Sequence, residues 1–240
     1  MPLHVCLIRH GETAWSISGQ HTGRTDLPLT THGKEEARTL GPRLRDICFT
    51  RVLTSPLHRA RQTCELAGFD SVAEIEPDLA EWNYGDYEGR LSAEIRKQRP
   101  IWTVLADGCP GGEMPAQVSA RADRLIARLR EMDGHIALFS HGQFGCVLAA
   151  RWIGLPLIEA RHFVIGTASL SILEYESSHP EVPVIALWNS SAHQLSDANP
   201  SAHLGDTRPM KQRALERWEN EGGEIPAQLQ NKDAVLNRIP

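Results

Sequence analysis

The chain has 240 residues, 41% hydrophobic and 23% charged, proportions of an ordinary globular protein that exclude a disordered or fibrous chain. Its length suits one α/β domain with room for an appendage rather than two full domains. A formal net charge of −5 argues against a general nucleic-acid binder, which carries a basic excess, so any anion site has to be a local gathering of Arg and His. Cys6, Cys48, Cys64, Cys109 and Cys146 are widely spaced and form no Cys-x-x-Cys pair. They read as reduced thiols in a cytoplasmic protein, with no metal centre expected. Arg9 and His10 interrupt the first apolar run after four residues, so no secretory signal is expected. The most apolar later stretch, residues 146–158, contains Arg151 and Pro156 and falls short of the ~18 apolar residues that suggest a membrane span.

Along the chain, Val5-Cys6-Leu7-Ile8 is the continuous apolar run of a strand buried on both faces, and Arg9-His10-Gly11 follows at its carboxyl end. A Gly- and Thr-rich stretch over residues 21–26 leads to a helix that Thr30 or Thr31 caps and that runs to about residue 45. Residues 51–54 are β-prone, and Ser55-Pro56 reads as an N-cap followed by a first-turn proline, opening a helix through residue 66. A further strand is expected at residues 72–75. Residues 79–89, with Glu81, Trp82, Tyr84, Asp86 and Tyr87, form a polar and aromatic loop. Helical patterning returns at residues 92–98 and strongly at 116–132, where Val118, Ala122, Leu125, Ile126 and Leu129 share one face. Residues 136–139 are a second buried strand, ending in Ser140-His141-Gly142, and a helix follows over residues 144–153. Two strands, 169–175 and 184–188, close the domain. From Ser196 onward charges, amides and prolines replace large apolar residues, with helical character only at residues 213–221. The tail is therefore an extension that is partly disordered or a lid. Alternating strands and helices predict a three-layer α/β/α domain over residues 1–195, with a mostly parallel central sheet and helices on both faces.

In such a sheet, ligands bind at the carboxyl ends of the strands. Two histidines, His10 and His141, stand at strand ends, each followed by a glycine, Gly11 or Gly142, that lets a ligand approach the backbone. Arg9 and Arg59 can converge with them, Arg59 lying in the first turn after a third strand end. Guanidinium forks suit phosphate oxygens, and a neutral imidazole carries a free lone pair near pH 7 that can accept a phosphoryl group. The leaving oxygen then needs a proton, which Glu81 can supply if burial raises its pKa. No Gly-x-x-x-x-Gly-Lys-[Ser/Thr] loop is present, which excludes a nucleotide-triphosphate cradle of that kind.

Together these residues resemble the histidine phosphatase superfamily, also called phosphoglycerate-mutase-like. Leu7-Ile8-Arg9-His10-Gly11-Glu12-Thr13 matches its signature. Residues 23–30 with Gly33, residues 55–63, residues 81–89, Gly112-Glu113 and Ser140-His141-Gly142 follow in the family's order, so the resemblance covers about residues 3–190. It implies that His10 becomes phosphorylated, that Arg9, Arg59 and His141 complete the phosphate pocket, and that Glu81 is the proton donor. Ser16 stands where family members often carry Asn, and its hydroxyl can still bond a phosphoryl oxygen. Thr22 and Gly23 match a segment that lines the substrate side in relatives.

The stretch Glu81-Trp82-Asn83-Tyr84-Gly85-Asp86-Tyr87-Glu88-Gly89 resembles the phosphatase branch, which includes sedoheptulose-1,7-bisphosphatase-like and broad-specificity acid phosphatases. The mutases usually show Arg-His-Tyr-Gly there and a longer insertion. Here Gly112 follows Glu81 closely, which predicts a more open pocket in which water reaches the phosphohistidine. The expectation is a metal-independent and cofactor-independent phosphatase acting on a small phosphorylated metabolite, with no nucleic-acid or membrane partner and with homodimer formation possible. The alternatives are a cofactor-dependent phosphoglycerate mutase and a non-catalytic phospho-ligand binding protein.

Overall fold

A computed structural model describes residues 2–191 of the chain; the expectations for the tail from Ser196, including its helical segment, lie outside the described residues. The strands are β1 (His4–Arg9), β2 (Phe49–Thr54), β3 (Ala73–Ile75), β4 (His135–Ser140), β5 (Leu170–Tyr175) and β6 (Pro183–Ser190). They form one sheet in the order β3-β2-β4-β1-β5-β6. The first four are mutually parallel, β5 is antiparallel to β1, and β6 is antiparallel to β5. The sheet is thus mostly parallel with an antiparallel strand near one edge, and the α/β expectation holds.

The two faces of the sheet feed two cores. Val5 and Leu7 of β1 with Ile136 and Leu138 of β4 join a cluster that includes Val118, Ala122, Leu125 and Leu129 of α6 (Pro115–Arg130) and Phe144, Val147 and Leu148 of α7 (Gly142–Trp152). The alternating residues Cys6, Ile8, Ala137 and Phe139 face Leu40 and Leu44 of α2 (Thr31–Leu44) and Cys64 of α3 (His58–Leu66). Strands covered on both sides read as continuous apolar runs for this reason. Smaller helices α1 (Ala14–Ser18), α4 (Ser92–Arg96) and α5 (Val104–Asp107) complete the set.

Thr30 caps α2, its hydroxyl accepting from Gly33 N at 2.9 Å. The expected start of α3 at Ser55-Pro56 is corrected. Ser55 N donates to Phe139 O at 2.9 Å, so the chain still pairs as a strand there, and the helix opens only at His58 behind an extended Leu57. Asp26 Oδ1 accepts from His58 N at 2.7 Å and caps that helix from another loop. Conversely α7 starts at Gly142, two residues earlier than the pattern suggested. The five-residue α1 escaped the periodicity because it is shorter than two turns; Thr13 and Ser16 hold it in a capping box, and Gly19 closes it with φ 78°.

Strand register aligns the functional positions. Arg9 pairs with Ser140 and Thr54 with Phe139, so His10, His141 and Ser55 emerge side by side at three neighbouring strand ends. Behind them Gly11 and Gly33 are in close backbone contact. A Cβ on Gly33 would lie 2.1 Å from Glu12 O, and one on Gly11 would lie 2.4 Å from Gly33 O. Neither backbone has room to give, so Gly33→Ala is expected to destabilise the fold by about 1–3 kcal/mol, the range for overpacking. Urea unfolding checks this: the midpoint should fall at unchanged m-value, and an unchanged midpoint would contradict the packing described.

Candidate active site

His10 is buried, and its Nδ1–H donates to Gly11 O at 2.7 Å. A carbonyl can only accept, so this bond puts the ring proton on Nδ1 and the lone pair on Nε2. Burial, then Arg59, then Arg9 hold the imidazole well below the usual histidine pKa, against a smaller opposing effect of the Gly11 bond. Burial and the two arginines both favour the uncharged ring. Its backbone is fixed from both sides, with His10 N donating to Ser140 O and His10 O accepting from Ala168 N.

Arg9 and Arg59 are both buried. The Arg9 guanidinium donates to Ile165 O, and it passes directly over Gly142, where a Cβ would lie 3.1 Å from Arg9 Cζ. Arg59 is wholly buried; Nη2 donates to Thr22 O and Gly23 O, both at 2.9 Å, and Nη1 to Thr25 O at 3.1 Å, while buried Nε has no partner among the described residues. That loop is itself held by Glu88, whose carboxylate accepts from the backbone N–H groups of Gly23, Arg24 and Thr25 and from the Thr25 hydroxyl. Behind Arg59, Thr63 Oγ1 donates to Arg59 O and accepts from Gly11 N at 3.0 Å, locking α3 to the end of β1.

His141 lies beside His10, with ring centroids 5.2 Å apart. It occupies the N-cap position of α7 but makes no side-chain cap. Glu81 caps the helix from another segment: Oε1 accepts from Phe144 N and from Trp82 N, each at 2.8 Å, and Oε2 from Gln143 N at 2.9 Å. A helix N-terminus favours the ionised carboxylate, yet the Glu81 pKa is raised, because burial outweighs those three bonds and the attraction of Arg59.

Arg121 supports the Glu81 segment. It donates to Asp78 O and Ala80 O, forms a two-pronged contact with Glu113, and lies 4.3 Å over the Phe144 ring. Glu113 in turn donates its backbone N–H to Asn83 O and accepts from Asn83 N through its carboxylate. A Cβ on Gly112 would sit 2.2 Å from Asn83 O. Gly112-Glu113 is therefore the buttress of the Glu81 loop.

Arg9, His10, Ser16, Thr22, Glu81 and Gly142 line a cavity of about 60 Å³ together with Thr13, Trp15, Gly19, Gln20, His21, Tyr84 and Gln143. That is room for a few waters or one phosphoryl-sized group. Arg59, His141 and Gly23 are not among the residues that line it; His141 stands beside the lining residue His10, and Gly23 supports Arg59 through its carbonyl. The Ser16 hydroxyl donates to Thr13 O at 2.9 Å within the capping box, and Thr22 Oγ1 donates to Gln20 O at 3.0 Å. Sequence reasoning did not single out Ser55, Thr63, Glu88, Arg121 or Gln143 as parts of the site. One signal was available: Arg121 falls between Val118 and Ala122 on the apolar stripe of α6, and a cation in that place demands a buried partner.

No group of three or more His, Cys, Asp or Glu side chains suited to a metal occurs among the described residues, and no helix among them is long and apolar enough to cross a membrane. The chain belongs to the histidine phosphatase superfamily (branch 1), which it matches over residues 5–190. It is an enzyme of the phosphatase class, a hydrolase of phosphoric monoesters. An acid phosphatase of Mycobacterium tuberculosis is 42% identical over 185 residues, covering 75% of this chain and 91% of the relative. A sedoheptulose 1,7-bisphosphatase of Saccharomyces cerevisiae is 38% identical over 181 residues, covering 62% and 67%. A chain of Erwinia tasmaniensis named as a probable phosphoglycerate mutase is 30% identical over 219 residues, covering 85% and 96%. The solved structure of an open-reading-frame product of Mycobacterium tuberculosis superposes with a TM-score of 0.75 at 39% identity, covering 80% of this chain and 99% of that one.

Proposed function

We propose that the protein hydrolyses phosphomonoesters of small metabolites, sugar phosphates in particular, through a phosphohistidine on His10, within a catalytic unit of residues 1–195. One observation carries the reading: the Nδ1–H···O=C bond to Gly11 presents the Nε2 lone pair of a neutral imidazole beside two buried guanidiniums. Nε2 attacks phosphorus in line, the ester P–O bond breaks, and the Glu81 carboxyl gives its proton to the leaving oxygen. Arg9 and Arg59 neutralise charge on the transferring group, and His141 gives it a hydrogen bond. Water then attacks phosphorus, the P–N bond breaks, and the Glu81 carboxylate takes the proton of that water. Phosphate leaves, and His10 is neutral again.

Hydrolysis is favoured over return of the group to a second acceptor by the stretch from Glu81 to Gly89 and by the higher identity to an acid phosphatase, 42%, and a sugar bisphosphatase, 38%, than to the probable phosphoglycerate mutase, 30%. A cavity walled by Trp15, Gln20, Tyr84 and Gln143 suits a hydroxylated leaving group. Phosphate release from sugar mono- and bisphosphates, assayed alongside interconversion of 2- and 3-phosphoglycerate, separates the two reactions. Release should exceed interconversion; mutase turnover well above hydrolysis would overturn the reading.

The role of Glu81 predicts a pH signature. His10 must be neutral to attack, and since its pKa is lowered, that form persists well below pH 6.5; activity is lost only as pH falls through this depressed value. Glu81 must be protonated, and since its pKa is raised, the competent form extends above the usual carboxyl range and is lost as pH rises through the elevated value. Glu81→Gln removes the proton donor and the descending limb together. With an alkyl phosphate it should lose about 10²- to 10⁴-fold in kcat/KM, and with an aryl phosphate, whose leaving group needs little protonation, far less. Equal losses on both substrates would contradict the assignment.

A further inference from the structure

Ser55, the residue after β2, is wholly buried and stands between two groups. Its Oγ lies 3.2 Å from Leu57 N and 2.7 Å from His141 Nε2. The Leu57 N–H can only donate, so it occupies a lone pair of the hydroxyl. The other His141 nitrogen, Nδ1, is buried and has no partner among the described residues.

Those contacts distinguish the two neutral tautomers. With the proton on Nε2, His141 would donate to Ser55, and both the Ser55 hydroxyl proton and the Nδ1 lone pair would be buried without partners. With the proton on Nδ1, Leu57 N–H donates to Oγ, the Ser55 O–H donates to Nε2, and only Nδ1–H is left to give. A buried unmade hydrogen bond is costly, so the second arrangement is preferred. We propose that Ser55 is a positioning residue: by donating its hydroxyl proton to His141 Nε2 it fixes the Nδ1–H tautomer, so that His141 is a neutral hydrogen-bond donor to the phosphoryl group at His10.

The assignment rests on His10 as phosphoryl acceptor and adds how its neighbour is prepared. A histidine locked as a neutral donor binds a phosphoryl oxygen without competing with Glu81 for the transferred proton. The chain of bonds is anchored in the backbone of Leu57, two residues before Arg59, so a single β2-to-α3 turn delivers a phosphate-binding cation and fixes the tautomer of the histidine beside it. An outer-shell partner of this kind sets ring orientation as well as protonation.

The direct test is ring ¹⁵N NMR of the full-length, uniformly labelled protein at neutral pH. His141 is expected to show a protonated, pyrrole-type Nδ1 and a pyridine-type Nε2. The opposite pattern in the wild-type protein would overturn the proposal, with no variant needed. In Ser55→Ala the pattern should shift toward protonated Nε2, and kcat/KM for p-nitrophenyl phosphate should fall about 10- to 100-fold, as for other outer-shell partners, while Ser55→Thr, which keeps the hydroxyl, recovers most of it. A folded Ser55→Ala with wild-type kcat/KM and unchanged ring signals would equally refute the role. The tautomer is read on the resting protein, so failure of the phosphohistidine mechanism shows separately, as absence of phosphate on His10 with the Nδ1–H pattern intact.

Discussion

Parallel pairing of β4 with β1 on one side and β2 on the other, in the register Arg9 with Ser140 and Thr54 with Phe139, is the constraint on which the rest of the site depends. It turns sequence positions far apart into one row of three strand ends. Shifting that pairing by one residue would reverse which side chains face each core, exchanging Val5 and Leu7 for Cys6 and Ile8, so the two hydrophobic cores hold the register that the site uses. The site residues are positioned by the packing beneath them.

A second constraint comes from burial. Arg59, His10, His141 and Glu81 are all removed from water, and each charge among them has to be matched by fixed dipoles or another charge. The loop at residues 22–25 gives Arg59 three carbonyl acceptors, and Glu88 draws that loop together by the amides on its other side. The same burial, with the two cations, holds both imidazoles well below the usual histidine pKa. Desolvation of the carboxyl works in the opposite sense and raises the pKa of Glu81, so that the same burial favours an uncharged imidazole at His10 and a protonated carboxyl at Glu81. Pairs of groups pushed apart in this way mark acid–base assignments.

Much of this was legible in the residues. The apolar runs of β1 and β4, each ending in a histidine and a glycine, announced a buried parallel sheet and the edge where chemistry would lie, because strand burial and strand ends are local properties of a sequence. The start of α3 was not legible: Ser55-Pro56 carries the local pattern of a helix cap, and only the bond from Ser55 to Phe139, on a strand more than 80 residues later, keeps it extended. Glu88, Thr63 and Arg121 were hidden for the same reason. Their partners lie on other segments, and nothing in the spacing near them says which carbonyl or carboxylate they meet. Gly112-Glu113 was visible as a motif, but its role as the buttress of the Glu81 loop emerges only from the close backbone approach to Asn83.

The central claim is that Nε2 of His10 carries the phosphoryl group during turnover. Rapid acid-free quenching of the enzyme with a ³²P-labelled sugar phosphate, followed by peptide mapping under conditions that preserve phosphoramidates, measures it directly. Label should appear on the peptide containing His10, reach up to one phosphate per chain in the first turnover, and be lost to water at a rate no slower than kcat. Full activity with no label on His10, or an active His10→Ala protein, would contradict the account.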